Sequence, residues 1–280
     1  MCEFCTRHGE GKKWYLQAKN YGEDLANDLR RKRFVDHFFN EMMKGGHGDP
    51  QQGLENLRQA PAIFQGFVRG LVSRRLKREH FGQVVPLEDV EKVLDICSGI
   101  VRLPCVCRRL MRGRDARYCL GVSINPHQFF FDGVVSKDYW SGPDGVGLER
   151  LTRAEAVTLV RDFEKEGLSH SVWAFVVPFI GGICNCDRSD CYAMRYTLRE
   201  QVKVMFRGEY VAEVDPERCV GCRACMRQCQ FGAIDYSAMQ QKCFIDARTC
   251  YGCGICRSAC QHNAIGLQDR GSVPTAATLW

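Results

Sequence analysis

The sequence predicts an α+β protein: a Cys-rich front part, mostly helical or mixed, followed by a small C-terminal unit folded around cysteines. Three observations carry this prediction. Apolar residues recur at helical spacing in the first 85 residues. Between 86 and 207, helical patterns alternate with apolar stretches that lead to C-x-C pairs. From Cys219 onward, two cysteine runs of the same spacing follow one another.

Residues 1–85 read as a helical region. The segment Cys2-Glu3-Phe4-Cys5-Thr6-Arg7-His8 offers metal ligands at short spacing, but Cys2, Cys5 and His8 alone leave a tetrahedral site incomplete. Free terminal thiols are the alternative. A helix is predicted over 21–43, with Leu25, Leu29, Phe38, Phe39, Met42 and Met43 on one stripe and Gly45-Gly46 as its stop. A second is predicted within 54–78, with breaks at Pro61, Gly66 and Gly70. The Phe/Met stripe reads as core or docking face. The basic runs at Arg30–Arg33 and Arg74–Arg78 read as solvated helix faces, or as a surface for nucleic acid or an acidic protein partner.

Residues 86–207 form a second region. A helix is expected after Pro86, with Glu88 and Asp89 in its first turn and Val90, Val93, Leu94 and Cys97 on one face, ending before Pro104. Cys105-Val106-Cys107 follows, then a basic loop and Cys119. The capping box at Thr152–Glu155 starts another helix that runs to Gly167. The apolar run 172–180, Cys184-Asn185-Cys186 and Cys191 come next. Two such units packed face to face would bring six thiols together. Cys105, Cys107, Cys119, Cys184, Cys186 and Cys191 are therefore a candidate third site, for an iron–sulfur cluster or for zinc, with buried free thiols as the alternative. His170 is a candidate ligand or proton donor, with a hydrogen-bonded structural role as the alternative. The arginines of the 108–117 loop could raise the potential of a neighbouring anionic cluster or hold a phosphate or carboxylate, with a solvated loop as the alternative.

Residues 208–268 contain Cys219-x2-Cys222-x2-Cys225-x3-Cys229 and Cys250-x2-Cys253-x2-Cys256-x3-Cys260. A constant offset of 31 residues relates Cys219 to Cys250, Cys229 to Cys260 and Ala233 to Ala264, so the unit is an internal repeat. Three thiolates on a tight loop grip one cluster, and the x3 insertion carries the fourth away. The pattern resembles the bacterial dicluster ferredoxin domain. The resemblance implies one [4Fe-4S] cluster on Cys219, Cys222, Cys225 and Cys260 and a second on Cys250, Cys253, Cys256 and Cys229, each fourth cysteine crossing to the other cluster. Gln230 and Gln261 stand where that family usually has proline, which leaves a backbone N–H that a proline would lack. Upstream, Gly167–His170 followed by Ile183–Cys186 is similar to a module found ahead of such domains in proteins of anaerobes, over about 86–195. Here 187–190 separates Cys186 from Cys191, whereas the relatives' cysteines are denser. The tail 269–280 reads as loosely ordered or docking.

Net charge is +6, modest for 280 residues, so an acidic partner is accommodated and nucleic acid is not demanded. No apolar run opens the chain, and the uncharged stretch 171–186 is too short and too broken by Pro178 and glycines to span a bilayer. Eighteen cysteines without a leader point to a cytoplasmic, reducing and oxygen-poor setting. The chain contains no G-x-G-x-x-G after a strand and no Walker A sequence. The function expected is single-electron relay through two clusters, as a subunit or partner of an anaerobic oxidoreductase. A redox enzyme with a catalytic cluster in the middle module, and a cluster-based sensor or nucleic-acid binder, are the competing expectations.

Overall fold

The computed structural model describes residues 13–41, 50–112, 116–126 and 148–279. Cys2, Cys5, His8, Met42, Met43 and Gly113–Asp115 lie outside the described residues. Two 3-10 turns, Trp14–Leu16 and Ala18–Tyr21, bury Trp14, Tyr15 and Tyr21. The single helix predicted over 21–43 is instead α1 (Glu23–Ala26), α2 (Leu29–Asp36) and a π turn, His37–Glu41. The break has a cause in Asp28, whose carboxylate accepts the Arg31 N–H at 3.0 Å and caps a new helix. Helices α3 (Pro50–Gln59) and α4 (Ala62–Glu79) follow. Pro61 separates them, having no N–H to donate and disfavouring helix at the residue before it. Gly66 and Gly70 do not interrupt α4, since a helical glycine costs only about 1 kcal/mol.

The middle of the chain alternates strand and helix: β1 (Gly82–Val85), α5 (Leu87–Ile96), β2 (Gly99–Leu103), α6 (Val106–Arg112) and β3 (Cys119–Ser123). It continues with β4 (Glu149–Arg150), α7 (Arg153–Lys165), β5 (Ser169–Ala174), β6 (Ile180–Cys186), α8 (Tyr192–Leu198) and β7 (Met205–Phe206). Among the described residues these strands form one seven-stranded sheet, ordered β4-β2-β3-β6-β5-β1-β7, with only β1–β7 parallel. The two Cys-rich units thus share one sheet, and β1 joins it from the region read as helical. Helix α5 stops at Ile96, because Gly99–Leu103 pair with β3. The capping box of α7 is formed, with Thr152 and Glu155 bonding each other's backbone.

One sheet face is covered by α5 and α7: Val90, Val93, Leu94, Ala156 and Val160 pack on Leu120, Val172 and Ile183, all essentially without exposure. Burying each aliphatic side chain of this kind contributes about 1.5–3 kcal/mol. The other face packs against Val35, Phe38 and Phe39 and against the C-terminal unit, so the two Phe of the predicted stripe are core, whereas Leu29 stands exposed.

That unit comprises β8 (Tyr210–Val214), α9 (Ala224–Gln228), β9 (Ile234–Ser237), β10 (Lys242–Ile245) and β11 (Ile265–Asp269). It contains two antiparallel pairs, β8–β11 and β9–β10. The tail read as loosely ordered is anchored instead. Arg270 is fully buried and donates to the carbonyls of Gly208 (2.7 Å), Tyr210 (2.7 Å) and Cys250 (3.0 Å), and Ala276 is buried beyond it. Among the described residues no helix is long and apolar enough to cross a membrane.

Candidate metal centres

The repeat has a structural expression beyond its cysteines. Gly221 and Gly252, 31 residues apart, stand at φ +69° and +75° in the two cysteine loops. A Cβ on Gly221 would lie 2.2 Å from the Gln241 carbonyl, and one on Gly252 would lie 2.1 Å from that of Tyr210. Gln241 and Tyr210 are themselves 31 apart. Each loop is therefore pressed onto the backbone beside a strand, which only glycine permits.

Two cavities result. The first, about 330 Å³ of open space, is lined by Cys219, Cys222, Cys225 and Cys260, and also by Cys243. The second, about 310 Å³, is lined by Cys229, Cys250, Cys253 and Cys256. The fourth cysteine of each run lines the cavity of the other. Backbone N–H groups already point at sulfur. Ala233 donates to Cys229 Sγ at 3.3 Å and, one repeat on, Ala264 donates to Cys260 Sγ at 3.3 Å. Ala212 and Gly252 both donate to Cys250 Sγ at 3.4 Å. Burial pushes the Cys225 thiol up to about 12 and the Cys253 thiol well above its ordinary range. Thiols forced together out of water are set to exchange protons for metal. Five sulfurs in the first cavity and four in the second, with amide donors aimed at some of them, fit a thiolate-ligated iron–sulfur cluster in each.

The cavities are not chemically equal. Under the 31-residue offset, Ala212, Phe231 and Gly254 of the second correspond to Cys243, His262 and Arg223 of the first. Phe231 and Tyr251 stack at 4.2 Å beside the second cavity, while Cys222 of the first is exposed. Cys243 was not singled out by spacing, because it sits alone on β10. Its correspondence to Ala212 is the signal that could have found it. Its thiol is buried and in hydrogen-bonding contact with Cys225.

In the middle module, strand pleat explains the C-x-C spacing: residues two apart share a face, so Cys184 and Cys186 on β6 point the same way. Cys119 on β3 pairs with Cys184, their sulfurs 3.8 Å apart. Cys105 and Cys107 come from the start of α6 and Cys191 from the N-terminus of α8. Hydrogen-bonding contacts run in sequence from Cys105 to Cys119, Cys184, Cys186, Cys191 and Cys107. Cys184 and then Cys191 pull the Cys186 thiol down to about 6 by donating to it. Among the described residues, no three His, Cys, Asp or Glu are gathered as for a single metal ion. A lone ion needs its ligands to meet at one point, whereas the thiolates of a cluster each take a different iron.

Arg108 lies buried against these thiols. It pairs with Asp187 and with Asp190 (3.4 Å), donates to the Asn185 carbonyl (3.3 Å), approaches Cys105 Sγ (3.9 Å) and lies 3.9 Å over the Tyr118 ring. Burial opposes its charge, but Cys105, Asp187 and Cys186 outweigh burial and push its pKa up. Arg117 is half-buried and its carbonyl accepts from Arg102, so the basic loop is partly built into the fold. His170 is not brought to the thiols. It pairs with Asn185, so the pleat sets both on the opposite sheet face from Cys184 and Cys186. There His170 is fully buried, Nδ1 lies 2.6 Å from Asn185 Oδ1, Nε2 has no hydrogen-bond partner, and burial lowers its pKa to about 4. Cys97 is buried in the helix-covered core, away from the other thiols.

The C-terminal unit and the middle module meet at a polar seam. Gln230, next to Cys229, donates to the Gly167 carbonyl at 2.8 Å and accepts the Arg188 N–H at 3.1 Å. Arg257, next to Cys256, holds Glu88 of α5 with both guanidinium nitrogens, at 2.5 and 2.8 Å.

Residues 212–235, from β8 through the first cysteine run into β9, match the family model of the 4Fe-4S binding domain, Fer4. A ferredoxin-type iron–sulfur domain therefore stands near the C-terminus of this α+β chain, and at least one [4Fe-4S] cluster is its cofactor. No curated protein matches the chain.

Proposed function

We propose that the chain relays single electrons through two [4Fe-4S] clusters, one per cavity, as a subunit or partner of an oxidoreductase in a reducing, oxygen-poor cytoplasm. The observation that carries this reading is the pair of cavities, each lined by four cysteines related by the repeat and by the crossed fourth residue. Cys219, Cys222, Cys225 and Cys260 would hold the first cluster, and Cys250, Cys253, Cys256 and Cys229 the second. When bound, such clusters accept and release one electron at a time. The chain's residues hold the sulfurs still, exclude water with Phe231, Tyr251 and Ile255, and aim amide N–H groups at thiolate charge. No proton needs to move.

A redox partner would approach where the first cavity nears solvent, at exposed Cys222 and Val220. Helix α4 offers a further surface: Ile63, Phe64, Phe67 and Leu71 stand exposed among its arginines, suiting an acidic partner with apolar contacts.

Cys250→Ser tests the ligand set. Iron per chain in anaerobically purified protein should fall by about four, one cubane, while the remaining cluster keeps its spectrum. Unchanged iron, or zinc in place of iron, would contradict the reading.

A further inference from the structure

We propose that the six cysteines of the middle module hold a third, thiolate-ligated iron–sulfur cluster that belongs to the same relay. The inference rests on the two-cluster reading of the C-terminal unit and extends it. Six sulfurs from β3, β6, α6 and the α8 entry stand on one sheet face in a continuous run of contacts. Zinc is served by four ligands converging on one ion. Six sulfurs arrayed side by side suit a multi-iron group: a cubane takes one thiolate on each of its four irons, and six are within reach.

A positioned donor supports the same occupant. An iron–sulfur cluster with its thiolates is anionic, and a buried anion needs hydrogen-bond donors held against it. Arg108 is 7% exposed, fixed by Asp187, Asp190 and the Asn185 carbonyl, and turned toward Cys105. Asp187 and Asp190 already balance its charge, so what Arg108 brings to the thiols is a fixed N–H donor beside Cys105.

Position makes the site part of the relay. Cys229, which lines the second cavity, is followed by Gln230, whose side-chain oxygen accepts the Arg188 N–H; Asp187 and Cys186 precede Arg188. A short backbone path with one hydrogen bond thus joins a cysteine of the second cavity to a cysteine of the middle site.

The test is iron, acid-labile sulfide and zinc per full-length chain, purified without oxygen, for the wild type and for the double variant Cys184→Ser/Cys186→Ser. The wild type should carry about twelve iron or more, and the double variant about four fewer. The reduced-state spectrum of the C-terminal clusters should persist but lose the broadening imposed by a nearby third spin. About eight iron in the wild type that the double substitution leaves unchanged overturns the proposal, as does zinc that the double substitution removes. Far-UV circular dichroism shows whether the variant is folded. Failure of the two-cluster reading looks different: the wild type would then hold iron that the double substitution removes entirely.

Discussion

Cys243 is the residue at which the two halves of the repeat differ most in chemistry, since Ala212 takes its place one repeat earlier. A thiol proton near the Cys225 sulfur favours the more negative, reduced state, as hydrogen bonds to cluster sulfur do. Cys243→Ala should lower the potential of one cluster and leave the other in place, and Ala212→Cys should raise the other; redox titration followed by electron paramagnetic resonance reads both. Equal shifts in both clusters would remove this account. Glu164 gives a residue-scale prediction of another kind. Burial raises its pKa from 4.5 to about 7, against the lowering effect of Arg257. The unfolded chain therefore gives up this proton first, and stability falls as pH rises from 4.5 through 7. Glu164→Gln should raise the melting temperature at pH 8 and leave it nearly unchanged below about pH 4, a difference of about 3 kcal/mol at most. The two cysteine runs that line the cavities were legible in the sequence; Cys243 was not, because a lone cysteine carries no spacing.

At the scale of elements, the sequence gives away local rules and hides the ones made by tertiary contact. The capping box at Thr152, the carboxylates in the first turn of α5 and the break at Pro61 are local signals, and each stands where its chemistry requires. The division of α1 from α2 by Asp28 is also local, but it competes with a continuous apolar stripe that looked like one helix. Strand β1 could not be read from its four residues, because its strand character comes from pairing with β5 and β7. The C-x-C pairs carried no element of their own in the sequence; on β6 the spacing is the period of a strand, which places both thiols on one face. The cysteine loops depend on backbone approach at Gly221 and Gly252. Gly252→Ala should destabilise the protein by well over 1 kcal/mol, since strain at positive φ adds to a clash with the Tyr210 carbonyl. Its second cluster should be lost first on warming, followed as bleaching of visible absorbance.

Across the whole molecule, one sheet has two uses: its helix-covered face supplies an apolar core, and its other face carries cysteines toward the C-terminal unit. The seam formed by Gln230, Arg188, Arg257 and Glu88 fixes the two parts against each other. Gln230 departs from the proline usual in the family it resembles, and here its amide is a structural link. The exposed apolar side chains of α4 give the molecule a surface for a partner; Phe67→Asp should weaken reduction by that partner without changing iron content, which stopped-flow kinetics can follow. The central claim is that two clusters occupy the paired cavities with crossed fourth cysteines. Its most direct test is spin quantitation on the dithionite-reduced full-length Cys184→Ser/Cys186→Ser variant. The account predicts two magnetically interacting spins per chain, falling to one isolated spin when Cys250→Ser is added. A single spin before that third substitution would contradict it.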